Sequence, residues 1–389
     1  MKRLEALLQQ LCPDGVIYKR LGDIATITRG GNFQKKDYRE NGFPCIHYGQ
    51  IYTKFNLFVT EPISHISDEK AAQQKKAKPG DIIMAVTSEN IEDVCKCIAW
   101  LGNREIAVSG HAAIIHHRLN PKFLAYFLSS SLFYKQKLSM AQGTKVIEVS
   151  PEKLKNILLP VPPLEVQQEI VRILDHFTEL TAELTAELTA RKKQFSFYRD
   201  TLFQNAQNAT ILHLDDIADN CDNLRKPVTS GDRTKGDYPY YGASGIVDYV
   251  DNYIFDGDYL LISEDGANLL ARSTPIAFSI SGKNWVNNHA HVLHFNEYVT
   301  RRYVEFYLNA IDLSTYITGG AQPKLNQKNL NQIPIPIPPL PEQRRIVSIL
   351  DRFDALCNDL TSGLPAEIAA RQKQYEYYRD KLLTFKEKL

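Results

Sequence analysis

The sequence predicts an α+β protein in which two similar globular α/β domains are separated by two long antiparallel helices that form a coiled coil. Three observations predict it: an internal repeat, an apolar helical stripe inside the repeat, and a common order of elements before it. A pseudo-two-fold axis would relate the halves, giving a circular organisation. The predicted boundaries are 1–158 for the first domain with an N-terminal helix, 159–208 for a central spacer helix, 209–334 for the second domain and 335–389 for a C-terminal spacer helix.

The repeat consists of two blocks that each occur twice. Residues 160–180 read PVPPLEVQQEIVRILDHFTEL and residues 336–356 read PIPPLPEQRRIVSILDRFDAL, with 12 of 21 positions identical. Residues 191–202, RKKQFSFYRDTL, return at 371–382 as RQKQYEYYRDKL, with 7 of 12 identical. Two unrelated amphipathic helices would not share such strings, so one unit has been used twice.

The first copy predicts one helix from about Leu164 to Phe203, because its apolar residues recur at steps of three and four. The tetrapeptide TAEL occurs at 181–184 and again at 185–188, and each unit adds about one helical turn. The second copy has DLTSGLP at 359–365 instead. Glycine and proline disfavour a helix interior, so we expect this helix to break or kink near Ser362–Pro365.

The two domains are predicted to share a frame and to differ in their loops. LGDIA at 21–25 corresponds to LDDIA at 214–218, and a Gly-Asp turn feeds an apolar strand at 78–85 and at 255–262. The segments 109–115 and 287–293 also match. We further expect a strand over 43–48, a helix near 121–138, and His289 and His291 on one face of a strand. Polar, glycine-containing loops of different sequence separate these elements. One frame with different loops predicts two readers of different targets.

Charge is distributed unevenly between the domains, although the whole chain has a net charge of only +1. The first domain has 22 Lys and Arg against 15 Asp and Glu, whereas residues 209–334 have 10 against 15. If both domains bind DNA, the second must gather its basic groups on one face, or a partner must supply phosphate contacts.

The catalytic and targeting motifs that we sought are absent. The sequence has no phosphate loop, GxGxxG, HExxH or GxSxG, and Glu89 and Glu264 lack partners at a catalytic spacing. Six cysteines without CxxC indicate free thiols in a reducing compartment, and no segment resembles a signal peptide or a membrane span. We therefore expect a cytoplasmic, non-catalytic protein without a metal site or cofactor of its own.

The domain–helix–domain–helix order resembles the specificity subunit of type I restriction–modification enzymes. The resemblance rests on PxPPLxxQxxIVxILDxF at each helix start and RxKQxxxYRDxL at each helix end, and it covers essentially the whole chain. The TAEL units resemble the subfamily that carries such repeats in the central spacer helix. The resemblance implies two target-recognition domains that each read one half of a split DNA sequence. It further implies helices that set the distance between the halves and dock two methyltransferase subunits.

The same resemblance implies which partners would supply the chemistry. Double-stranded DNA, two methyltransferase subunits and restriction/translocase subunits are the expected partners, and no membrane is involved. S-adenosylmethionine, ATP and magnesium are expected on those subunits rather than on this chain. A coiled-coil adaptor joining two protein-binding domains is an alternative. A stand-alone DNA methyltransferase is another, although the chain lacks its (N/D)PP(F/Y)-type motif.

The candidate site residues are polar side chains on loops that flank the matched strands, because Arg and Lys contact guanine or phosphate while Asn and Gln contact adenine. The DNA-binding candidates of the first domain are Arg29, Asn32, Gln34, Lys35, Lys36, Gln50, Lys54, Asn90, His111 and Lys145. Those of the second domain are Arg225, Lys226, Arg233, Lys235, Tyr241, Ser244, Asn268, Lys283, Asn288, His289 and Lys324. The candidates for partner binding are the helix aromatics Phe195, Phe197, Tyr198, Tyr375, Tyr377 and Tyr378.

Overall fold

A computed structural model describes residues 2–388. The chain forms two compact units: unit 1 runs up to Glu183 and resumes at Ile368, and unit 2 is Leu184–Glu367. Each unit therefore combines a globular domain with part of each spacer region.

Unit 1 contains a sheet of strand order β2-β11-β7-β9-β4 and a second sheet of order β5-β3-β10-β6. Helices pack on the first sheet, whose buried side chains form the largest core of the unit. Its strands are β1 Tyr18–Arg20, β2 Ala25–Arg29, β3 Phe43–Ile46, β4 Phe58–Val59, β5 His65–Ile66, β6 Lys76–Ala77, β7 Ile82–Ala85, β8 Thr87–Ser88, β9 Cys97–Trp100, β10 Ile106–Val108, β11 Ala112–His117, β12 Ile147–Glu148 and β13 Leu158–Pro160. Its helices before the spacer are α1 Lys2–Leu11, α2 Leu21–Ile24, α3 Tyr48–Thr53, α4 Asp68–Ala72, α5 Pro121–Leu128, α6 Ser131–Met140 and α7 Pro151–Leu154.

The first spacer helix, α8, runs Leu164–Gln204, which confirms the long helix that the apolar stripe predicts. Its first half contributes Ile170 and Leu174 to the core of unit 1, together with Tyr375 from the end of the chain. Its second half packs in unit 2 with Ile346 and Leu350. The start of α8 thus packs with the end of the second spacer region and the end of α8 packs with its start, as antiparallel helices require.

Unit 2 repeats the frame of unit 1. Its sheets have the orders β15-β22-β19-β20 and β17-β16-β21-β18. Its strands are β14 Thr210–Leu212, β15 Asp219–Asn220, β16 Lys235–Gly242, β17 Gly245–Val250, β18 Phe255–Asp256, β19 Tyr259–Ser263, β20 Ala277–Ile280, β21 Lys283–Val286, β22 Ala290–His294 and β23 Ile335–Ile337. The remaining helices of the chain are α9 Leu214–Ile217, α10 Asn268–Ala271, α11 Tyr298–Ala310, α12 Gln327–Leu330, α13 Leu340–Asn358 and α14 Leu364–Leu382.

The second spacer region is interrupted between α13 and α14. The carboxylate of Asp359 accepts hydrogen bonds from the backbone N–H groups of Thr361 and Ser362, which closes a turn after the last residue of α13. Gly363 fits there because a Cβ at that position would lie 2.5 Å from the Ala355 carbonyl oxygen. Pro365 lies in the first turn of α14, where its missing N–H costs no intrahelical bond. The break therefore begins slightly before the predicted segment.

A glutamine of the repeated motif ties each spacer helix to its proline entry. The side-chain amide of Gln167 donates to the Pro162 carbonyl at 2.7 Å, and Gln343 donates to Pro338 at 2.8 Å. The Gln167 Oε1 also accepts from the backbone N–H of Asn120, the N-cap residue of α5. The glutamine at this position of the motif thus has the same structural role in each unit.

An aspartate of the same motif anchors the domain helix to the spacer helix. Asp175 accepts from Lys122 at 2.6 Å and from Tyr126 at 2.7 Å, both on α5. Asp351 pairs with Arg302 on α11 at 2.8 Å. Each ILD string therefore ends in a carboxylate that holds its domain against its helix.

The two ends of the chain pack together in unit 1, as the predicted circular organisation requires. Leu4 of α1 and Leu383 share the core of this unit. The N–H of Val16 donates to the Lys386 carbonyl, and the N–H of Lys388 donates to the Val16 carbonyl. Segments that lie at opposite ends of the sequence thus belong to one domain.

Three local predictions need correction. The strand expected over 43–48 ends at Ile46, and Tyr48 begins α3, capped by His47. The helix expected over 121–138 is two helices, because α6 starts anew after a serine cap at Ser130. His289 and His291 do not share a strand face, since β22 begins at Ala290.

Candidate nucleic-acid interface

A cleft of about 440 Å³ in unit 1 gathers four of the predicted DNA-binding residues. Its walls are the end of β2, the loop that follows it, the start of α3 and the turn before β11. The predicted residues among its lining are Arg29, Asn32, Gln34 and His111. The polar loops that flank matched strands therefore meet at one edge of the frame.

Arg29 is held across this cleft by two contacts. Its Nε donates to the Gly110 carbonyl at 2.7 Å, and its Nη1 lies 3.0 Å from Glu148. Both charged side chains remain almost half exposed, at 45% and 41%. The guanidinium is thus oriented but still reaches solvent, as a group that contacts a base edge or phosphate must.

His47 and Tyr48 form an aromatic wall of the cleft that the sequence patterns do not predict. The rings of His47 and Tyr48 lie 4.5 Å apart, and Tyr48 lies 4.9 Å from the ring of His111. Burial lowers the pKa of His47, and nearby Lys35 lowers it further, so His47 is neutral and accepts from the Gly49 N–H. The run 43–48 predicts a strand through both residues, whereas the strand ends at Ile46 and α3 begins at Tyr48.

The other candidates of unit 1 have different settings. Gln50 is occupied, because its Oε1 accepts from the N–H of His47 and its amide donates to Ser64. Asn90 closes a turn by bonding Asp93. The exposed cationic candidates outside the lining of the cleft are Lys35, Lys36, Lys54 and Lys145.

In unit 2 the corresponding edge holds a compact polar network. Arg225 donates to Glu264 at 2.6 Å and to the Ala290 carbonyl at 2.8 Å. Lys324 lies 3.1 Å from the second oxygen of Glu264, and Asp222 lies 2.6 Å from His291. Two predicted DNA-binding cations, Arg225 and Lys324, are thus paired with carboxylates of their own domain.

His291 occupies the buried centre of this network, with its side chain only 1% exposed. Its Nε2 lies 2.8 Å from the Leu325 carbonyl and its Nδ1 faces Asp222, so both ring nitrogens donate. Burial raises the pKa of the Asp222 carboxyl, but the hydrogen bond and charge of His291, the Val292 N–H and the charge of Arg225 together hold this pKa below its ordinary value. At Glu264, burial also raises the pKa, and the contributions of Arg225, His291 and Lys324 together lower it below its ordinary value.

The donor atoms of Asp222, Glu264 and His291 lie within 4.8 Å of one another, a spacing that fits a metal ion. Their chemistry does not fit one. Both nitrogens of His291 are engaged as donors, and Arg225 and Lys324 already neutralise Glu264. A ligand histidine must offer a free lone pair, so this cluster is an ion-pair network.

The remaining candidates of unit 2 lie in separate settings. Arg233 pairs with Asp248 at 3.2 Å, and Asn268 bonds the Thr274 backbone. Lys283 lies 4.6 Å above the Tyr253 ring, and His289 is paired with a carboxylate. Tyr241 packs partly buried in the domain core. The other candidates, which are exposed, are Lys226, Lys235, Ser244 and Asn288.

The sheet registers show which residues of the two units are equivalent. Ala112 pairs with Ala85 in unit 1, and Ala290 pairs with Ser263 in unit 2, an offset of 178 at both strands. Aligning the two Gly-Asp turns predicts that Ala85 corresponds to Ile262. This prediction is wrong by one residue, because Ala85 corresponds to Ser263. The strand, and not the turn that enters it, sets the equivalence.

The helix aromatics divide into buried and exposed members. Phe195 and Tyr198 contact Phe353 within unit 2, and Tyr378 stacks on Phe177 within unit 1. Tyr375 is only 9% exposed. Phe197 and Tyr377 are 66% and 60% exposed, and Tyr198 is 41% exposed, so the most exposed aromatic at each copy of the motif is left for solvent or a partner.

A family model for the type I restriction modification DNA specificity domain matches residues 13–191 and 208–370. The chain therefore belongs to this family of DNA specificity subunits of type I restriction–modification systems. Among its relatives is a putative type I restriction enzyme specificity subunit of Haemophilus influenzae, 45% identical over 178 residues. That match covers 45% of this chain and 46% of the relative, so it spans about half the length of that protein.

A second relative and a solved structure agree with this assignment. The type I restriction enzyme EcoR124I/EcoR124II specificity subunit of Escherichia coli is 34% identical over 269 residues, which are 61% of this chain and 65% of that protein. A crystal structure of the S subunit from M. genitalium has the same fold, with a TM-score of 0.56, 15% identity and coverage of 94% and 96%. Within residues 2–388, none of the helices has the length and apolar character to cross a bilayer.

Proposed function

We propose that this chain is the non-catalytic subunit that selects DNA for a type I restriction–modification complex in the cytoplasm. Each domain reads one half of a split sequence, and the spacer helices set the distance between the halves. The helices dock two methyltransferase subunits, and restriction/translocase subunits complete the assembly. Methyl transfer and ATP hydrolysis, with S-adenosylmethionine, ATP and magnesium, belong to those partners.

The observation that carries this proposal is the repeated frame with unlike polar edges. The edge that carries Arg29 and Glu148 in one unit carries Asp222 and Lys324 at the equivalent positions in the other. A protein that bound one repeated ligand twice would need like edges. Unlike edges on a common frame suit two different half-sites.

The direct test is selection from a random pool of duplex DNA, using the full chain alone and together with type I methyltransferase subunits. We expect enrichment of a motif with two specified parts separated by an unspecified gap. The same chain without partners should transfer no methyl group. Enrichment of a single uninterrupted motif, or none, would overturn the proposal and favour a protein adaptor.

Docking is tested on the exposed aromatics. The double variant Phe197→Ala with Tyr377→Ala should weaken co-purification of the methyltransferase subunits while leaving the unfolding transition in place, because both rings are mostly exposed. The matched control, Tyr375→Ala, removes a buried ring and should instead lower stability by about 3 kcal/mol. Undiminished co-purification of both subunits with the double variant would contradict this docking surface.

A further inference from the structure

His111 and His289 occupy the same place in their units. They are related by the offset of 178 that the strand registers give, and each precedes the strand that pairs with the central apolar strand. The carbonyl of His111 accepts from Val86, and that of His289 accepts from Glu264, the residue 178 positions later. Both side chains are exposed at the polar edge of the frame.

The residue behind each ring differs. Nδ1 of His111 lies 3.1 Å from the hydroxyl of Thr87. Nδ1 of His289 lies 2.8 Å and 3.0 Å from the two carboxylate oxygens of Asp265. Thr87 and Asp265 are themselves 178 positions apart, so they are equivalent residues with different hydrogen-bonding chemistry.

These partners restrict the two rings to different degrees. An ionised carboxylate only accepts, so Nδ1 of His289 carries the proton, and in the neutral ring Nε2 is left as an acceptor. A hydroxyl donates or accepts, so His111 is free to adopt either neutral tautomer. Neither Nε2 atom has a hydrogen-bond partner in the described part of the chain, and both residues are exposed, so each Nε2 is available to a ligand.

We propose that His111 and His289 are equivalent base-contacting residues, and that Thr87 and Asp265 determine what each ring reads. This inference rests on the proposed DNA-reading function. His289 accepts a hydrogen bond from an exocyclic amino group, which only adenine and cytosine present in the major groove. His111 accepts from an amino group or donates to guanine or thymine, so its own tautomer imposes no such restriction.

The surroundings of the two histidine rings also differ. Tyr48 packs against His111 at 4.9 Å. The equivalent position in unit 2 is Ala243, because Ser109 bonds Ile46 as Asn287 bonds Tyr241. The ring of His289 therefore has no aromatic neighbour at that place and is oriented by Asp265.

The test uses the full chain with type I methyltransferase subunits and the random duplex pool at pH 8, where an ordinary imidazole is neutral. We expect wild type to require adenine or cytosine at one position of one half-site. His289→Ala should reduce that discrimination about tenfold. Asp265→Asn should admit guanine and thymine there, because an amide accepts or donates, and should leave the other half-site unchanged.

Asp219→Asn is the matched control, because Asp219 lies 3.7 Å from the partly exposed His294 at the other end of β22. It should leave the motif as in wild type. Thr87→Asp should restrict the matching position of the other half-site to adenine or cytosine, once circular dichroism shows that the variant is folded.

The outcomes separate this inference from the function on which it rests. A wild-type chain that enriches no two-part motif overturns the proposed function itself. A wild-type motif that survives His289→Ala unchanged overturns the base-contacting role alone. A motif that His289→Ala relaxes but Asp265→Asn does not overturns the role of Asp265.

Discussion

The polar edges of unit 1 and unit 2 are built on equivalent strands, but the charges at equivalent positions of the two edges are reversed. Register equivalence places Asp222 at the position of Arg29 and Lys324 at the position of Glu148. In unit 1 the two groups form one half-exposed ion pair. In unit 2, His291 and Glu264 stand between them and the network is largely buried.

The residues beneath the edge explain this difference. The positions that His291 and Glu264 fill in unit 2 are held by Ala113 and Val86 in unit 1, which are apolar and fully buried. Small apolar residues leave the ion pair of unit 1 at the surface, whereas a histidine and a carboxylate draw their partners inward. The comparison teaches that the frame determines where polar groups meet and not whether they are free to contact DNA.

The largest expected change in DNA specificity follows from exchanging a whole domain together with its polar edge. Replacing residues 21–158 with the equivalent domain of a relative should change all specified bases of one half-site and none of the other, because each unit has its own core and loops. Mapping methylated sites across a genome measures both halves at once. Altered bases in both halves would show that the units do not read independently.

Removing one member of each edge should distinguish the buried network from the exposed pair. Asp222→Ala leaves His291 buried without its partner and should lower the free energy of unfolding by about 3 kcal/mol. Arg29→Ala, the equivalent change in unit 1, should cost less than about 1 kcal/mol. Denaturant unfolding gives both values, and equal losses would contradict the comparison.

The length of α8 should change the gap between half-sites without changing what either unit reads. Deleting 185–188 removes about 6 Å of helix and rotates the remainder by roughly 40°, close to the twist of one base pair. We expect the gap to shorten by one base pair, and a third TAEL unit to lengthen it by one. Genome-wide methylation mapping tests this, and an unchanged gap would contradict it.

The smallest expected effect is on how the stability of unit 2 depends on pH. The lowered pKa values of Asp222 and Glu264 contribute stability that is fully present above their ordinary values of 3.8 and 4.5. That stability is lost as pH falls through the lower, folded-state values. The double variant Asp222→Asn with Glu264→Gln should be less stable at pH 7 but should lose less between pH 5 and 3. Parallel unfolding curves for wild type and variant across that range would refute this.

Local patterns accounted for the helices and the repeated frame. The apolar stripe of α8, the Gly-Pro interruption before α14 and the duplicated motif all act over a few residues, so their periodicity is readable without neighbours. The loops that follow the matched strands meet at one edge, which places the candidates Arg29, Asn32, Gln34 and His111 around one cleft.

The amino-acid pattern alone therefore predicts two copies of one frame, a long spacer helix and the loops that carry the polar groups. Tertiary structure alone decided that His47 and Tyr48 form a wall beside His111, and that Arg225 and Lys324 are paired within a network around His291. These contacts join residues far apart in the chain. Burial and ion pairing depend on which distant side chains a fold brings into contact, and no local pattern encodes that.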